Sequence, residues 1–182
     1  MNVADEVLAL FNSRGSEAYF GEHVSMTEHM LQTAHFAEQE QAPRRLVLAA
    51  LLHDVGHLVE PVPDDLEDWR TDARHEEVGS RWLTTRIRAE VCEPVRLHVA
   101  AKRYLCATDS GYVALLSQAS LVTLKLQGGP MTPAEQLQFE MERSYREAIR
   151  VRRWDDQGKV SGLKTPTLAH YRDLIEEFTL RS

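Results

Sequence analysis

The fold of this chain follows from the stretch Leu51-Leu52-His53-Asp54-Val55-Gly56-His57-Leu58, in which an imidazole and a carboxylate stand side by side at the end of an apolar run. Adjacent residues on a helix point about 100° apart, so His53 and Asp54 share no face of a regular helix. They can converge on one ion where a helix ends and the backbone leaves regular geometry. Burying Asp54 in this apolar frame without a partner would be costly, which favours a metal site over a structural role.

Four further residues could complete a metal site with this pair, namely His29, His75, His98 and Asp155. Imidazole and carboxylate ligands suit iron, zinc, manganese and nickel, and the set contains no thiolate that would select a softer metal. Asp54 is the natural bridge between two ions, because a carboxylate has two oxygens and such a bridge holds metals about 3.5–4 Å apart. Asp156 competes with Asp155 for the last ligand position. Taken singly, each histidine is as well explained by a surface or capping role.

The composition excludes several classes of protein. With 182 residues the chain suits one domain, residues 1–182, and can bury a real core. The net charge of −7 argues against a broad nucleic-acid surface. No apolar run approaches the roughly 20 residues of a membrane span, and acids stand near the N-terminus where a signal peptide carries bases. We therefore expect a cytoplasmic protein with no nucleic-acid partner and no membrane segment.

Apolar residues recur at helical spacing along most of the chain, and no useful length alternates with a period of two. The sequence therefore predicts an all-α fold, with a loop over residues 59–72. Caps, prolines and glycines predict where the helices begin and end. The first helices run from Asn2 or Asp5 to about Gly15, from Ser25 to about Gln41, and from Pro43 to the His-Asp pair, and the next two begin at about His75 and after Pro94. The remaining helices run from Tyr112 to Leu126 and from Thr132 to about Arg152, and the last begins at Thr165.

His98 and Lys102 are four residues apart and so share a helix face. The simpler interpretation is a solvated polar stripe. The functional interpretation is a metal ligand followed, one turn later, by a cation that faces an anionic substrate held on the metal.

The order of His29, His53-Asp54 and Asp155 resembles the HD-domain superfamily of all-helical metal-dependent phosphohydrolases, with His75 and His98 as the additional pair of its binuclear members. Longer blocks resemble the 2-amino-1-hydroxyethylphosphonate dioxygenase family, HD-domain oxygenases related to myo-inositol oxygenase. The most specific blocks are His98-Val99-x-Ala101-Lys102-Arg103-Tyr104-Leu105 and Gln127-Gly128-Gly129. The resemblance implies an HD-domain helical bundle with a di-metal site in its core. It also implies an oxidoreductase that cleaves C–P bonds with O₂ and an Fe(II)/Fe(III) pair.

The resemblance also implies the ligands of each iron. One iron would be held by His29, His53, Asp54 and Asp155, and the other by His75, His98 and the bridging Asp54. Asp54 and Lys102 would be the catalytic residues.

Substrate contacts follow from the same resemblance. The phosphonate would be bound by Lys102, with His57, Ser120 and Gln127 as helpers. Tyr19 and Glu22 fall on the pair that covers the open metal site and recognises the substrate amine. A primary ammonium group would favour Glu22, whereas a trimethylammonium group would favour aromatic faces. The products would be phosphate and either glycine or glycine betaine, with an upstream 2-oxoglutarate-dependent hydroxylase supplying the substrate.

Two other functions are compatible with the same residues. A binuclear phosphohydrolase acting on a nucleotide or phosphomonoester could use the same six ligands. An HD-fold binding module without catalysis is a third possibility, against which the complete ligand set argues.

Overall fold

The structure is a computed structural model that describes residues 2–17, 19, 22–60 and 74–181. Most of this part of the chain is helical, it contains no β-strand, and an isolated β-bridge pairs Ile87 with Thr179. The predicted all-α fold class is therefore confirmed. Across the described ranges, no helix combines the length and apolarity needed to cross a lipid bilayer. The α-helices are α1 (Val3–Arg14), α2 (Met26–Gln39), α3 (Arg44–Leu52), α4 (Val55–Val59), α5 (His75–Thr84), α6 (Ala89–Thr108), α7 (Gln118–Leu126), α8 (Pro133–Met141), α9 (Tyr145–Gln157) and α10 (Arg172–Phe178).

The predicted helix starts at Asn2, Ser25 and Thr132 are confirmed by their cap contacts. The Asn2 side chain accepts a hydrogen bond from the backbone N–H of Asp5, three residues later. Ser25 and Thr132 each form a reciprocal capping box with the glutamate three residues on, so two otherwise unpaired donors are satisfied at both sites. The predicted loop over residues 59–72 lies largely outside the described residues.

The prediction that a helix begins after Pro94 is wrong, because α6 already begins at Ala89 and contains Pro94. The first turn is held by tertiary contacts. The backbone N–H of Arg88 donates to the carbonyl of Phe178, and Val91 and Cys92 are buried in the main core. Packing thus compensates for the hydrogen bond that a proline removes from a helix.

Two helices predicted as continuous are each divided. Residues Tyr112–Leu115 form a 3₁₀ helix, and Ser117 then caps α7 by accepting from the backbone N–H of Ser120. The long helix predicted from Thr132 ends as α8 at Met141, and residues 142–144, which begin with the extended Glu142, separate it from α9. Aromatic rings on either side of this second break contact each other edge to face, so the apolar pattern continues across it.

Helix α3 lies in the core, and every residue from Leu46 to Leu52 is buried. The main apolar cluster surrounds it with side chains from α1, α2, α5, α6, α9 and α10. Helix α3 ends at Leu52, and Asp54 has φ −102° and ψ 14° before α4 begins at Val55. The His-Asp pair therefore stands at a break between two helices, buried within the molecule.

Helices α4 and α5 meet backbone to backbone at two glycines. A Cβ atom at Gly56 would lie 1.9 Å from the carbonyl oxygen of His75, and one at Gly79 would lie 3.0 Å from the nitrogen of Gly56. No side chain fits at Gly56, and one at Gly79 would make an unusually tight contact, so this close approach fixes α5, and with it His75, against the His-Asp break.

Candidate metal centre

The structure brings together all six residues predicted as metal ligands. They lie on separate elements: His29 on α2, the His-Asp pair between α3 and α4, His75 at the start of α5, His98 on α6 and Asp155 on α9. Five of the six are buried, and the His75 side chain is 13% exposed. This is the only place in the described chain where at least three such groups converge closely enough to hold a metal.

Asp54 divides the cluster into two groups and contributes one oxygen to each. Its Oδ2 atom lies 3.5 Å from His29 Nε2 and 3.3 Å from His53 Nε2. Its Oδ1 atom lies 3.2 Å from His75 Nε2 and 3.4 Å from His98 Nε2. Asp155 joins the first group, with Oδ1 3.4 Å from His29 Nε2. A carboxylate in this position can bridge two ions.

Backbone carbonyls orient three of the imidazoles. The Nδ1 atoms of His29, His53 and His98 donate to the carbonyl oxygens of residues 158, 50 and 95 at 2.7–2.8 Å. Because a carbonyl can only accept, Nδ1 carries a proton in each ring, and Nε2 is the nitrogen that each ring turns toward the cluster. His29 Nε2 and His53 Nε2 then face each other at 3.1 Å, as do those of His75 and His98. Facing acceptors at this distance suit a shared cation.

Two buried carboxylate oxygens point into the same space. Asp54 Oδ2 and Asp155 Oδ1 accept no hydrogen bond from any described residue. Burial alone would raise both pKa values, but the His53 charge holds the pKa of Asp54, and the Arg152 charge that of Asp155, well below the usual range. Buried carboxylate oxygens that accept no hydrogen bond are in a position to bind a metal cation. The donor set of four imidazoles and two carboxylates therefore fits two metal ions.

Protons compete with metal at this cluster. Burial lowers the pKa of His29, but its contacts with Asp155 and Asp54 outweigh this effect and raise the pKa to about 9. Only a deprotonated nitrogen can bind metal, so metal binding at His29 must release a proton at neutral pH.

Arg152 orients Asp155 from the outer side. Its buried guanidinium donates to Asp155 Oδ2 at 2.6 Å, which leaves Oδ1 facing His29. The same guanidinium contacts Asp156 and donates to the Tyr112 hydroxyl at 3.0 Å. Asp156, the competing ligand candidate, is thus engaged with Arg152 and Tyr112, away from the histidines.

A group of polar side chains suited to an anion lies on α6, α7 and the residues after α9. Lys102 is 2% exposed, and its Nζ donates to Thr123 Oγ1 at 2.9 Å. Burial, followed by the Arg152 charge, lowers the pKa of Lys102 to about 7. Lys159 Nζ donates to Ser120 Oγ at 3.0 Å. The two amine–hydroxyl pairs are neighbours, because Thr123 Oγ1 donates to the carbonyl oxygen of Ser120 at 3.2 Å. We call Lys102, Lys159, Ser120 and Thr123 the anion pocket.

Tyr19, His57 and Glu22, three of the other predicted substrate residues, contact the metal cluster or the anion pocket. The Tyr19 ring stacks on His29 at a centroid distance of 3.9 Å, and the His57 ring stacks on His75 at 4.0 Å. Glu22 Oε1 lies 3.8 Å from the Nζ of Lys159. Gln127 caps the C-terminus of α7, and its buried Oε1 accepts no hydrogen bond within the described residues.

Comparison with known proteins agrees with this site. The family model described as HD domain matches residues 26–155, a range that contains all six cluster residues. The chain belongs to the HD-domain family. The predicted family is thus confirmed.

Named relatives of this HD-domain protein are dioxygenases. A protein of Leisingera caerulea named [1-hydroxy-2-(trimethylamino)ethyl]phosphonate dioxygenase (glycine-betaine-forming) is 41% identical over 96% of this chain and 89% of its own length. A hydroxymethylphosphonate dioxygenase of Gimesia maris is 42% identical over 88% of this chain and 80% of its own length. An uncharacterized protein of Acanthamoeba polyphaga mimivirus is 31% identical over 97% of this chain and 81% of its own length.

Sequence reasoning missed three residues of the site. Arg152 precedes Asp155 by three residues, and Thr123 follows Ser120 by three, so helical spacing could have indicated both. Lys159 gives no such signal, because it follows the end of α9 and reaches Ser120 only through the fold.

We expect Arg152→Gln to weaken metal binding about 10–100-fold, as is typical when a partner of a metal ligand is lost. Asp155 would lose its orienting donor and become a buried carboxylate without its cation. Metal affinity should be measured by equilibrium titration, with Arg153→Gln as the control, since Arg153 is a half-exposed neighbour on the same helix. Wild-type affinity in Arg152→Gln would mean that Asp155 does not depend on this contact.

Proposed function

We propose that this HD-domain protein is a dioxygenase that cleaves the C–P bond of a 1-hydroxyphosphonate with O₂, releasing phosphate and a carboxylic acid. The observation that carries the proposal is that Lys102 is buried one turn after His98 on α6, and that His98 belongs to a donor set for two metals that shares the Asp54 carboxylate. The names of the Leisingera and Gimesia relatives support the same reaction class. A 2-oxoglutarate-dependent hydroxylase that installs the 1-hydroxyl group would supply the substrate.

The six cluster residues would hold two iron ions. His29, His53, Asp54 and Asp155 would bind one, and His75 and His98 with Asp54 the other. When bound, a mixed-valent pair supplies a Lewis acid for the substrate alcohol and redox chemistry for O₂. The donor set contains the imidazoles and carboxylates that iron accepts and lacks thiolates.

The residues of the anion pocket would bind and orient the phosphonate. Lys102 neutralises its outer oxygens as a compact charge, and the hydroxyls of Ser120 and Thr123 donate hydrogen bonds. The Gln127 amide lies one turn beyond Thr123 and can add a further donor. Tyr19 and His57, stacked on His29 and His75, flank the metal cluster on opposite groups. Asp54 would thus bind both metals, and Lys102 would bind the phosphonate beside them.

The reaction balances without an external reductant. The C–P bond breaks, the carbon becomes a carboxylic acid, and the phosphorus leaves as phosphate. Each product contains one oxygen atom more than the corresponding part of the substrate, which accounts for both atoms of O₂. One O₂ should therefore be consumed for each phosphate released.

The test compares an oxygenase with a phosphohydrolase. Iron-loaded protein should release phosphate from hydroxymethylphosphonate or a 2-substituted 1-hydroxyethylphosphonate only in air, with equal amounts of O₂ consumed. Under argon it should release no phosphate from these compounds or from a phosphomonoester such as p-nitrophenyl phosphate. Hydrolysis of the monoester under argon, with no O₂ uptake on phosphonates, would replace the proposal with the hydrolase alternative.

A further inference from the structure

Lys159 stands where a cationic group of the substrate would be expected to bind. Its Nζ lies 3.8 Å from Glu22 Oε1 and 5.8 Å from the centroid of the Tyr19 ring. Glu22 and Tyr19 are the carboxylate and the aromatic face that the family resemblance assigns to recognition of an amine or trimethylammonium group. The protein's own cation therefore contacts both.

The environment of Lys159 makes this arrangement more than a surface ion pair. Its side chain is 12% exposed and that of Glu22 is 17% exposed, so solvent screens the two charges only weakly. The hydrogen bond from Lys159 Nζ to Ser120 Oγ links the lysine to the anion pocket. Ser120 in turn is 7% exposed. Lys159 thus joins the phosphonate side of the site to the Glu22 side.

A second cation brought to Glu22 would meet the charge of Lys159 at short range. Like charges in a weakly screened site disfavour binding. Glu22 Oε1 accepts no hydrogen bond within the described residues, so its pairing with Lys159 at 3.8 Å is by charge alone. A substrate whose group on C1 is uncharged meets no such repulsion. The two lysines of the pocket would still attract its anionic phosphonate.

We infer that the natural substrate is a 1-hydroxyphosphonate whose group on C1 carries no positive charge, and that Lys159 sets this specificity. The inference rests on the proposed function, which it narrows to one substrate class. Hydroxymethylphosphonate, named for the Gimesia relative, is of this class, whereas the trimethylamino compound named for the Leisingera relative is not.

The first test compares two substrates of nearly equal shape on the wild-type protein. 1-Hydroxypropylphosphonate carries a methyl group where 2-amino-1-hydroxyethylphosphonate carries an ammonium group. Calorimetry of the iron-loaded protein under argon gives the dissociation constants without turnover. The methyl compound should bind about tenfold more tightly, and kcat/KM for phosphate release in air should show the same preference.

The second test removes the charge of Lys159. In Lys159→Met, Glu22 loses its counter-charge, so the preference should shift at least about tenfold toward the ammonium compound. The double variant Glu22→Gln with Lys159→Met should lose most of that shift, and Lys159→Arg should keep the wild-type preference. Lys164→Met is the matched control, because Lys164 is exposed and near in sequence. It should leave the ratio of the two dissociation constants unchanged.

The outcomes separate the inference from the proposed function. Tighter binding of the ammonium compound by the wild type, or a ratio that Lys159→Met does not move, would overturn the inference while C–P cleavage could still be observed. Absence of phosphate release from all phosphonates in air would overturn the proposed function, and the argon binding ratio would still decide whether Lys159 excludes cations.

Discussion

The variant His98→Ala is expected to retain about one iron per chain and to lose measurable C–P cleavage. The side chain is buried, and its Nε2 lies 3.4 Å from Asp54 Oδ1 and 3.1 Å from His75 Nε2. Without it, the second group keeps only His75 and one oxygen of Asp54, too few protein ligands for a stable site. The first group, with His29, His53 and Asp155, retains its full set.

Metal content should be measured by elemental analysis and activity by phosphate release in air. His98→Gln fills the buried space better and controls for a cavity, so it should show the same metal loss with a smaller change in thermal stability. His170→Ala is the surface control, since the His170 side chain is about half exposed and contacts Glu38. Two irons per chain with full activity in His98→Ala would remove the two-metal interpretation.

Lys102→Met is expected to reduce kcat/KM by two or more decades while leaving the iron content unchanged. Methionine has a similar length without the charge, so the buried phosphonate would lose its closest cation. Removing one partner of a buried ion pair costs on the order of 3–5 kcal/mol, which corresponds to this loss. Lys125→Met on the exposed side of α7 is the control. Wild-type kcat/KM in Lys102→Met would place the phosphonate site elsewhere.

The pH profile gives a second readout for Lys102. Because burial and the Arg152 charge lower its pKa to about 7, the free protein loses this cation as pH rises through about 7. Above that pH, binding an anion must take up a proton, so kcat/KM should fall by up to about tenfold per pH unit. Lys102→Arg stays charged throughout, and its profile should lack this decline.

The sequence predicted best what local chemistry encodes. Capping side chains at Ser25 and Thr132 act within one turn, and the His-Asp pair coincides with the end of an apolar run. It failed where tertiary contacts prevail over local pattern. Pro94 lies inside α6 because Arg88 is anchored to the chain end near Phe178.

The residues of the candidate site likewise separate into those that the sequence could predict and those whose contacts depend on the fold. Histidines and aspartates could be singled out by residue type and order, whereas the contacts of Lys159 depend on where the chain runs after α9. The sequence therefore could not predict that Glu22 pairs with Lys159, and the argument against a cationic substrate follows from that pair.

The contact between Gly56 and Gly79 shows a route by which a two-metal protein could become a one-metal protein in evolution. Any side chain at Gly56 would collide with the carbonyl of His75 and force α5 away. Such a change would leave all six cluster residues in the sequence while removing His75 from its place. A descendant could therefore keep the complete ligand signature and lose half of the centre, so homologues should be compared at these two glycines as well as at the histidines.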